Sequence, residues 1–183
     1  MARVLVPLAQ GCEELEAVTI IDLLRRAEIN VVTASLSDKP VKCSRGTVIL
    51  ADTAIDSVLD DNFDLIVLPG GLPGADHLND DSRIHQIITR LADEGKYVGA
   101  ICAAPKVLVE NGILNGKKAT AYPGSLSALD TSQIQLSEEA IQIDGKVITS
   151  RGPGTAMDFA LMLIEILLGK EARNSVEKPL QRN

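Results

Sequence analysis

The chain has 183 residues, of which 45% are hydrophobic and 23% charged. That length and balance fit one globular domain over 1–183 with a single substantial core, and exclude a disordered or fibrous chain. Eighteen Lys and Arg against 25 Asp and Glu leave a net charge of −7 without any basic block, so direct nucleic-acid binding is not expected.

The N-terminus runs straight into an apolar stretch at 4–8, too short for a signal-peptide core, and no apolar run approaches the roughly 18 residues of a spanning helix. A cytoplasmic location without membrane contact is expected. In chain order, strands are read at 4–8, 31–34, 65–68, 97–101, 119–121 and 147–149. Helices are read at 13–27, 82–94, 105–111, 155–168 and 171–176, with Gly95, Gly112 and Gly169 as stops and Pro105 at a first helical position. Two hairpins are read as antiparallel additions to the sheet: 41–44 with 47–50 around Arg45-Gly46, and 140–143 with 147–149 around Asp144-Gly145-Lys146. The alternation implies βαβ units around a mostly parallel sheet. Pro69-Gly70-Gly71-Leu72-Pro73-Gly74 does not spell a dinucleotide fingerprint, and Gly112 to Lys117 is one residue short of a phosphate loop. Aromatics make up 2% of the chain, too few for a stacking platform.

In an open parallel sheet, ligands sit beyond the carboxyl ends of the strands. Four such places stand out: residues 9–16, Pro69-Gly70-Gly71, Cys102-Ala103-Ala104-Pro105, and Ser150-Arg151-Gly152-Pro153-Gly154-Thr155. Cys102 falls between a buried strand and a helix start. Free backbone N–H groups there favour thiolate, the nucleophilic and oxidisable form. A small apolar residue packed in the core is an equally open reading. Glu16 lies on the first helix between Ile20 and Leu23, so its carboxyl points along an apolar stripe, where burial raises a carboxylic acid's pKa. Its alternative is a solvated first-turn acid, the better account of Glu13 and Glu14. Gly70 and Gly71 allow close backbone approach and could aim an N–H at a developing oxyanion, with Ala103 N–H as second donor, although a lone Pro-Gly-Gly is more often just a turn. Cys43 is read as packing and Cys12 is left open. His77, in a Gly-Ala-Asp-His loop, and His85, on a helix, are read as surface residues. With three scattered cysteines and two histidines, neither a disulfide framework nor a metal site is suggested.

The segments Gly11-Cys12-Glu13-Glu14-Leu15-Glu16, Val41-Lys42-Cys43-Ser44-Arg45-Gly46, Val67-Leu68-Pro69-Gly70-Gly71, Ala100-Ile101-Cys102-Ala103-Ala104-Pro105 and Thr149-Ser150-Arg151-Gly152-Pro153-Gly154-Thr155 together resemble the DJ-one/ThiJ/PfpI superfamily. The likeness spans essentially the whole chain and is nearest the DJ-one/YajL-like branch. The resemblance implies a flavodoxin-like three-layer α/β sandwich, similar to class I glutamine amidotransferases. It implies a homodimer and a reactive Cys102 hydrogen-bonded by a protonated Glu16, with Gly71 and Ala103 as backbone oxyanion contacts. It also implies a cofactor-free glyoxalase or protein deglycase acting on methylglyoxal, glyoxal or their adducts. The alternative is an oxidative-stress sensor or chaperone whose Cys102 oxidises to sulfinate without turnover. Gly70, Tyr122 and Pro153 are candidate substrate contacts, with Arg26 and Arg45 reaching across a dimer. The chain departs from the animal branch in carrying Tyr122-Pro123 where a His precedes the Pro. Ala103 stands where the protease branch has its His, so peptidase action is not expected.

Overall fold

The computed structural model describes residues 1–182. Its strands are β1 (Arg3–Leu8), β2 (Asn30–Ser35), β3 (Val41–Lys42), β4 (Val48–Ile49), β5 (Thr53–Ala54), β6 (Leu65–Leu68), β7 (Tyr97–Ile101), β8 (Lys118–Ala119), β9 (Gln135–Leu136), β10 (Ile141–Asp144) and β11 (Val147–Ser150). Its α-helices are α1 (Glu14–Arg26), α2 (Gly74–Asp80), α3 (Ser82–Asp93), α4 (Pro105–Glu110), α5 (Ala156–Leu168) and α6 (Lys170–Glu177).

Seven strands form one sheet in the order β10-β11-β7-β6-β1-β2-β5, and only β10 runs antiparallel to its neighbour. Renumbered along the chain, the five inner strands β2, β1, β6, β7 and β11 follow the order 2-1-3-4-5, a flavodoxin-like doubly wound topology. The inner strands are nearly continuous apolar runs because both faces of the sheet are covered. Side chains alternate between the two layers. Val4, Val6, Leu8, Leu65 and Val67 meet Ile20, Leu24, Phe159 and Leu163 of α1 and α5. Leu5, Ile66, Leu68, Val98 and Ala100 meet Ile84, Ile88, Leu91, Val107 and Leu108 of α3 and α4. The 3.6-residue spacing of Ile84, Ile87, Ile88 and Leu91 makes α3 a one-sided cover, started by Asp81, whose carboxylate accepts the Arg83 N–H at 3.0 Å.

Three expectations are corrected. The first hairpin is not an addition to the main sheet: β3 and β4 pair only with each other, through two residue pairs. The expected strand at 119–121 is β8, which pairs in parallel with β9 in a separate small sheet. His77 lies on α2 rather than in a loop. Of that helix only Gly74, Ala75 and Leu78 are buried, so its sequence carries too little apolar period to be recognised.

At one margin of the sheet β5 covers only Ala34 and Ser35 of β2. Beyond it, the outward groups of β2 are taken by side chains. The Asp52 carboxylate accepts from Thr33 N–H at 2.9 Å and from its hydroxyl at 2.7 Å, while Arg25 donates to Val31 O at 3.3 Å and pairs with Asp52 at 2.7 Å.

Phe159 is fully buried where α5 lies on the sheet. Phe159→Ala is expected to cost about 3–5 kcal/mol, whereas Leu136→Ala, at a position half exposed, should cost no more than about 0.5 kcal/mol. Urea titration of both variants checks the contrast.

Candidate active site

The 2-1-3-4-5 order places a topological switch point between β1 and β6, where the chain leaves the two strands in opposite directions and a crevice opens at their carboxyl ends. Three segments meet there. The turn after β1 leads into Glu16, Gly70 and Gly71 follow β6, and Cys102 follows β7.

Cys102 has φ +63°, the left-handed region that a residue with a Cβ rarely adopts. Such a conformation costs about 1–3 kcal/mol and persists only when its surroundings enforce it. Here Cys102 N–H donates to Ser150 O at 2.9 Å and Cys102 O accepts from Tyr122 N–H at 2.8 Å, with the Ser125 hydroxyl at 3.5 Å. The peptide groups on both sides are therefore fixed, and the side chain is turned off the strand toward the crevice. Cys102 keeps 8% of its surface open, while Glu16 is fully covered.

Gly70 makes the contact between them possible. A Cβ at this residue would lie 2.7 Å from Cys102 Cβ and 2.8 Å from Glu16 Oε2, so any side chain would push apart the two groups. Gly70 N–H instead donates to Glu16 Oε2 at 2.8 Å. The other carboxyl oxygen, Oε1, is buried and has no hydrogen-bond partner among the described residues. Burial pushes the Glu16 carboxyl up to about 7, with the Gly70 N–H acting the other way. Gly71, at φ +87°, turns its N–H toward the sulfur, and Ala103 N–H also faces it.

The thiol behaves differently from the sequence expectation. Burial first, and then the charge of an ionised Glu16, push Cys102 up to about 12, outweighing the Gly71 and Ala103 N–H groups. The backbone donors favour thiolate as anticipated, but a buried carboxylate beside the sulfur opposes it. When Glu16 takes up a proton the repulsion ends and its O–H becomes a donor, so the two acids share one readily held negative charge.

The remaining candidates lie at different distances from this centre. Tyr122 is tied to Cys102 through its backbone, and its exposed ring covers Gly152, whose Cβ position would be 3.2 Å from Tyr122 Cδ2. Pro153 begins a short 3-10 turn directly after Gly152. A cleft of about 420 Å³ opens beside Tyr122 and Arg151, without Cys102 itself in its wall. Arg26 is not part of the site of its own chain: ten residues after Glu16 on α1, it lies roughly 15 Å further along the helix axis, paired with Asp22 at 2.6 Å. Arg45 sits in the β3–β4 turn with an exposed side chain, its backbone N–H donating to Glu14 at 3.0 Å. Glu14 is not simply solvated. It also accepts from Thr47 N–H and the Ser44 hydroxyl at 3.2 Å each; although burial opposes them, backbone donors bring it down to about 2. His77 is exposed on Gln10 O, and His85 bonds Asn79 O and Asn111. Ser125 has no distinguishing sequence signal, because only the folded loop brings it to Cys102 O.

The molecule is thus a small doubly wound α/β protein with a strained cysteine elbow beside a buried carboxyl. The DJ-1/PfpI family profile matches residues 2–166, and the chain belongs to that family. It is 45% identical to Protein DJ-1 homolog B of Arabidopsis thaliana over 92% of its own length, but spans only 39% of that longer protein. It is 36% identical to the Caenorhabditis elegans protein named glutathione-independent glyoxalase DJR-1.2, covering 98% of this chain and 95% of the relative. The crystal structure of Drosophila melanogaster DJ-1beta superposes with a TM-score of 0.95 at 41% identity, over 100% of this chain and 98% of that one.

Replacing Glu16 removes the charge that raises the thiol. In Glu16→Gln, the pH midpoint for alkylation of Cys102 by iodoacetamide should fall below that of the parent chain. Stability should respond with a defined sign. A carboxyl raised to about 7 in the folded state holds a proton that the unfolded chain has released, so the parent loses on the order of 3 kcal/mol as pH rises from about 4.5 to 7. Glu16→Gln should lack that slope in denaturant titrations.

Proposed function

We propose that the protein is a cofactor-free, cysteine-dependent glyoxalase of small dicarbonyls such as methylglyoxal and glyoxal, with related action on their protein adducts. What carries this reading is the fully buried Glu16 carboxyl with one unpartnered oxygen, beside a thiol that faces two backbone N–H groups. The name of the Caenorhabditis elegans relative agrees with it.

In the proposed sequence, Cys102 gives its thiol proton to ionised Glu16 as its sulfur bonds to the aldehyde carbon of methylglyoxal, the carbonyl π pair moves onto oxygen, and that oxygen takes the proton back from Glu16 to give a hemithioacetal. The N–H groups of Gly71 and Ala103 face the charge that develops during addition. Glu16, ionised, removes the proton from the former aldehyde carbon and returns it to the neighbouring carbon, while the hydroxyl proton of the former aldehyde passes to the neighbouring oxygen, leaving a thioester. Water then cleaves the C–S bond, releasing lactate and the thiol. Oxidation of one carbon and reduction of the next balance within the substrate, so no external redox partner is consumed. The sensor reading uses the same pair: a protonated Glu16 would offer Oε1 as donor to a sulfinate on Cys102.

The protein would act in the cytoplasm as a two-fold dimer. Leu15 and Val18 of α1 and Val48 and Leu50 of the β3–β4 hairpin are large exposed apolar residues on adjoining elements, as an isologous interface requires. Among the described residues no helix is long and apolar enough to cross a membrane.

Lactate release from methylglyoxal without glutathione tests the reading. Cys102→Ser should fall to the buffer rate, and Glu16→Gln should lose about 100-fold or more in kcat. Because the base must be ionised, kcat of the parent should rise through about pH 7. A parent chain no faster than Cys102→Ser would exclude turnover and leave the sensor reading.

A further inference from the structure

Cys12 and Cys43 take no part in the chemistry above, yet their sulfurs face each other at 3.6 Å, both buried. We propose that they form a second redox site, a dithiol that closes reversibly to an intramolecular disulfide when the protein meets a peroxide.

The backbone holds the pair in place on both sides. Gly11 N–H donates to Lys42 O and Ser44 N–H donates to Cys12 O, each at 2.8 Å. The turn after β1 and the start of the β3–β4 hairpin are thus stitched like a short ladder with the two cysteines between the stitches. The sulfurs need to close from contact to about 2.05 Å, a movement that modest side-chain rotations can share. Among the described residues the other hydrogen-bond partner of Cys43 sulfur is Val41 O at 4.0 Å, a contact too long to hold the thiol in place.

The exchange balances with hydrogen peroxide as oxidant. Cys43 keeps 4% of its surface open and Cys12 none, so Cys43 is the point of entry. Its sulfur attacks one peroxide oxygen, the O–O bond breaks, and the departing hydroxide takes the thiol proton to become water, leaving a sulfenic acid. Cys12 sulfur then displaces hydroxide from Cys43, and this hydroxide takes the Cys12 proton. Two thiols lose two protons and two electrons, and peroxide becomes two waters. A dithiol reductant reverses the bond by exchange.

The bond would join positions 31 residues apart, a loop that contains α1 and β2. It would also brace the active site from behind: a Cβ on Gly71 would lie 2.7 Å from Cys12 C, and Glu13 N–H donates to Gly70 O at 2.9 Å. The redox pair and the turn that faces Cys102 therefore share one wall.

The test uses the full chain carrying Cys102→Ser, so that its outcome is independent of the proposed turnover. After hydrogen peroxide, alkylation with N-ethylmaleimide and digestion without reduction, a peptide joining Cys12 to Cys43 is expected. The intact mass should fall by about 2 Da for the two hydrogens lost on closure, dithiothreitol should restore it, and the oxidised form should melt at higher temperature. Adding Cys12→Ser should abolish the linked peptide. The parent chain mapped in parallel gives the same readout if serine at 102 impairs folding. Recovery of both residues as free thiols, or as separate sulfinic or sulfonic acids without a linked peptide, would overturn the proposal.

Discussion

The left-handed backbone of Cys102 is the constraint around which the site is arranged. Left to itself, the residue would relax into the strand or the following helix and carry its sulfur away from the crevice. Ser150 O from β11 and Tyr122 N–H from the loop after β8 prevent both. Each acts on a different side of the same residue. The edge half of the sheet thus serves the centre: β11 must lie in register with β7 before the elbow can form, and Ser150 pairs with Ile101 in that register. The conformational penalty at Cys102 is met by hydrogen bonds that the sheet and loop would otherwise have to satisfy elsewhere.

A second constraint is electrical. Glu16 enters the core on α1 next to Gly70 and is buried with no cationic partner among the described residues. A carboxylate in that position is tolerable only because one N–H meets it and because it can be neutral near physiological pH. The thiol beside it meets the opposite pressures from burial and from the Gly71 and Ala103 N–H groups. Protonating one eases ionisation of the other. Such a pair readily carries one negative charge and resists a second.

Much of this was legible in the sequence, for physical reasons that differ by element. The strands at 4–8, 65–68 and 97–101 announce themselves because a parallel sheet covered on both faces needs uninterrupted apolar runs. Cys102 is conspicuous because a strand and a helix start leave it almost no room for anything but an elbow. Glu16 is conspicuous as an acid on an apolar stripe. Helix α2 and strand β5 were hidden because seven and two residues with few buried side chains impose no period. The independence of the first hairpin was hidden because alternation within a hairpin says nothing about which sheet it joins. The direction of the thiol's shift depended on a distance across the core. So did the meeting of Cys12 with Cys43, which needed the Gly11 to Lys42 and Ser44 to Cys12 hydrogen bonds.

The ion pair on the margin of β2 has a consequence beyond local stability. An uncovered strand is a template on which a strand from another molecule can extend the sheet, and such growth ends in insoluble fibres. Asp52 and Arg25 occupy the ladder positions that an incoming strand would need, and β5 closes the two residues that remain. Although burial acts the other way, the Thr33 groups and Arg25 keep Asp52 ionised below the usual carboxylate range. The plug therefore stays charged in mild acid, and the sheet is kept from recruiting its neighbours there as well as at neutral pH.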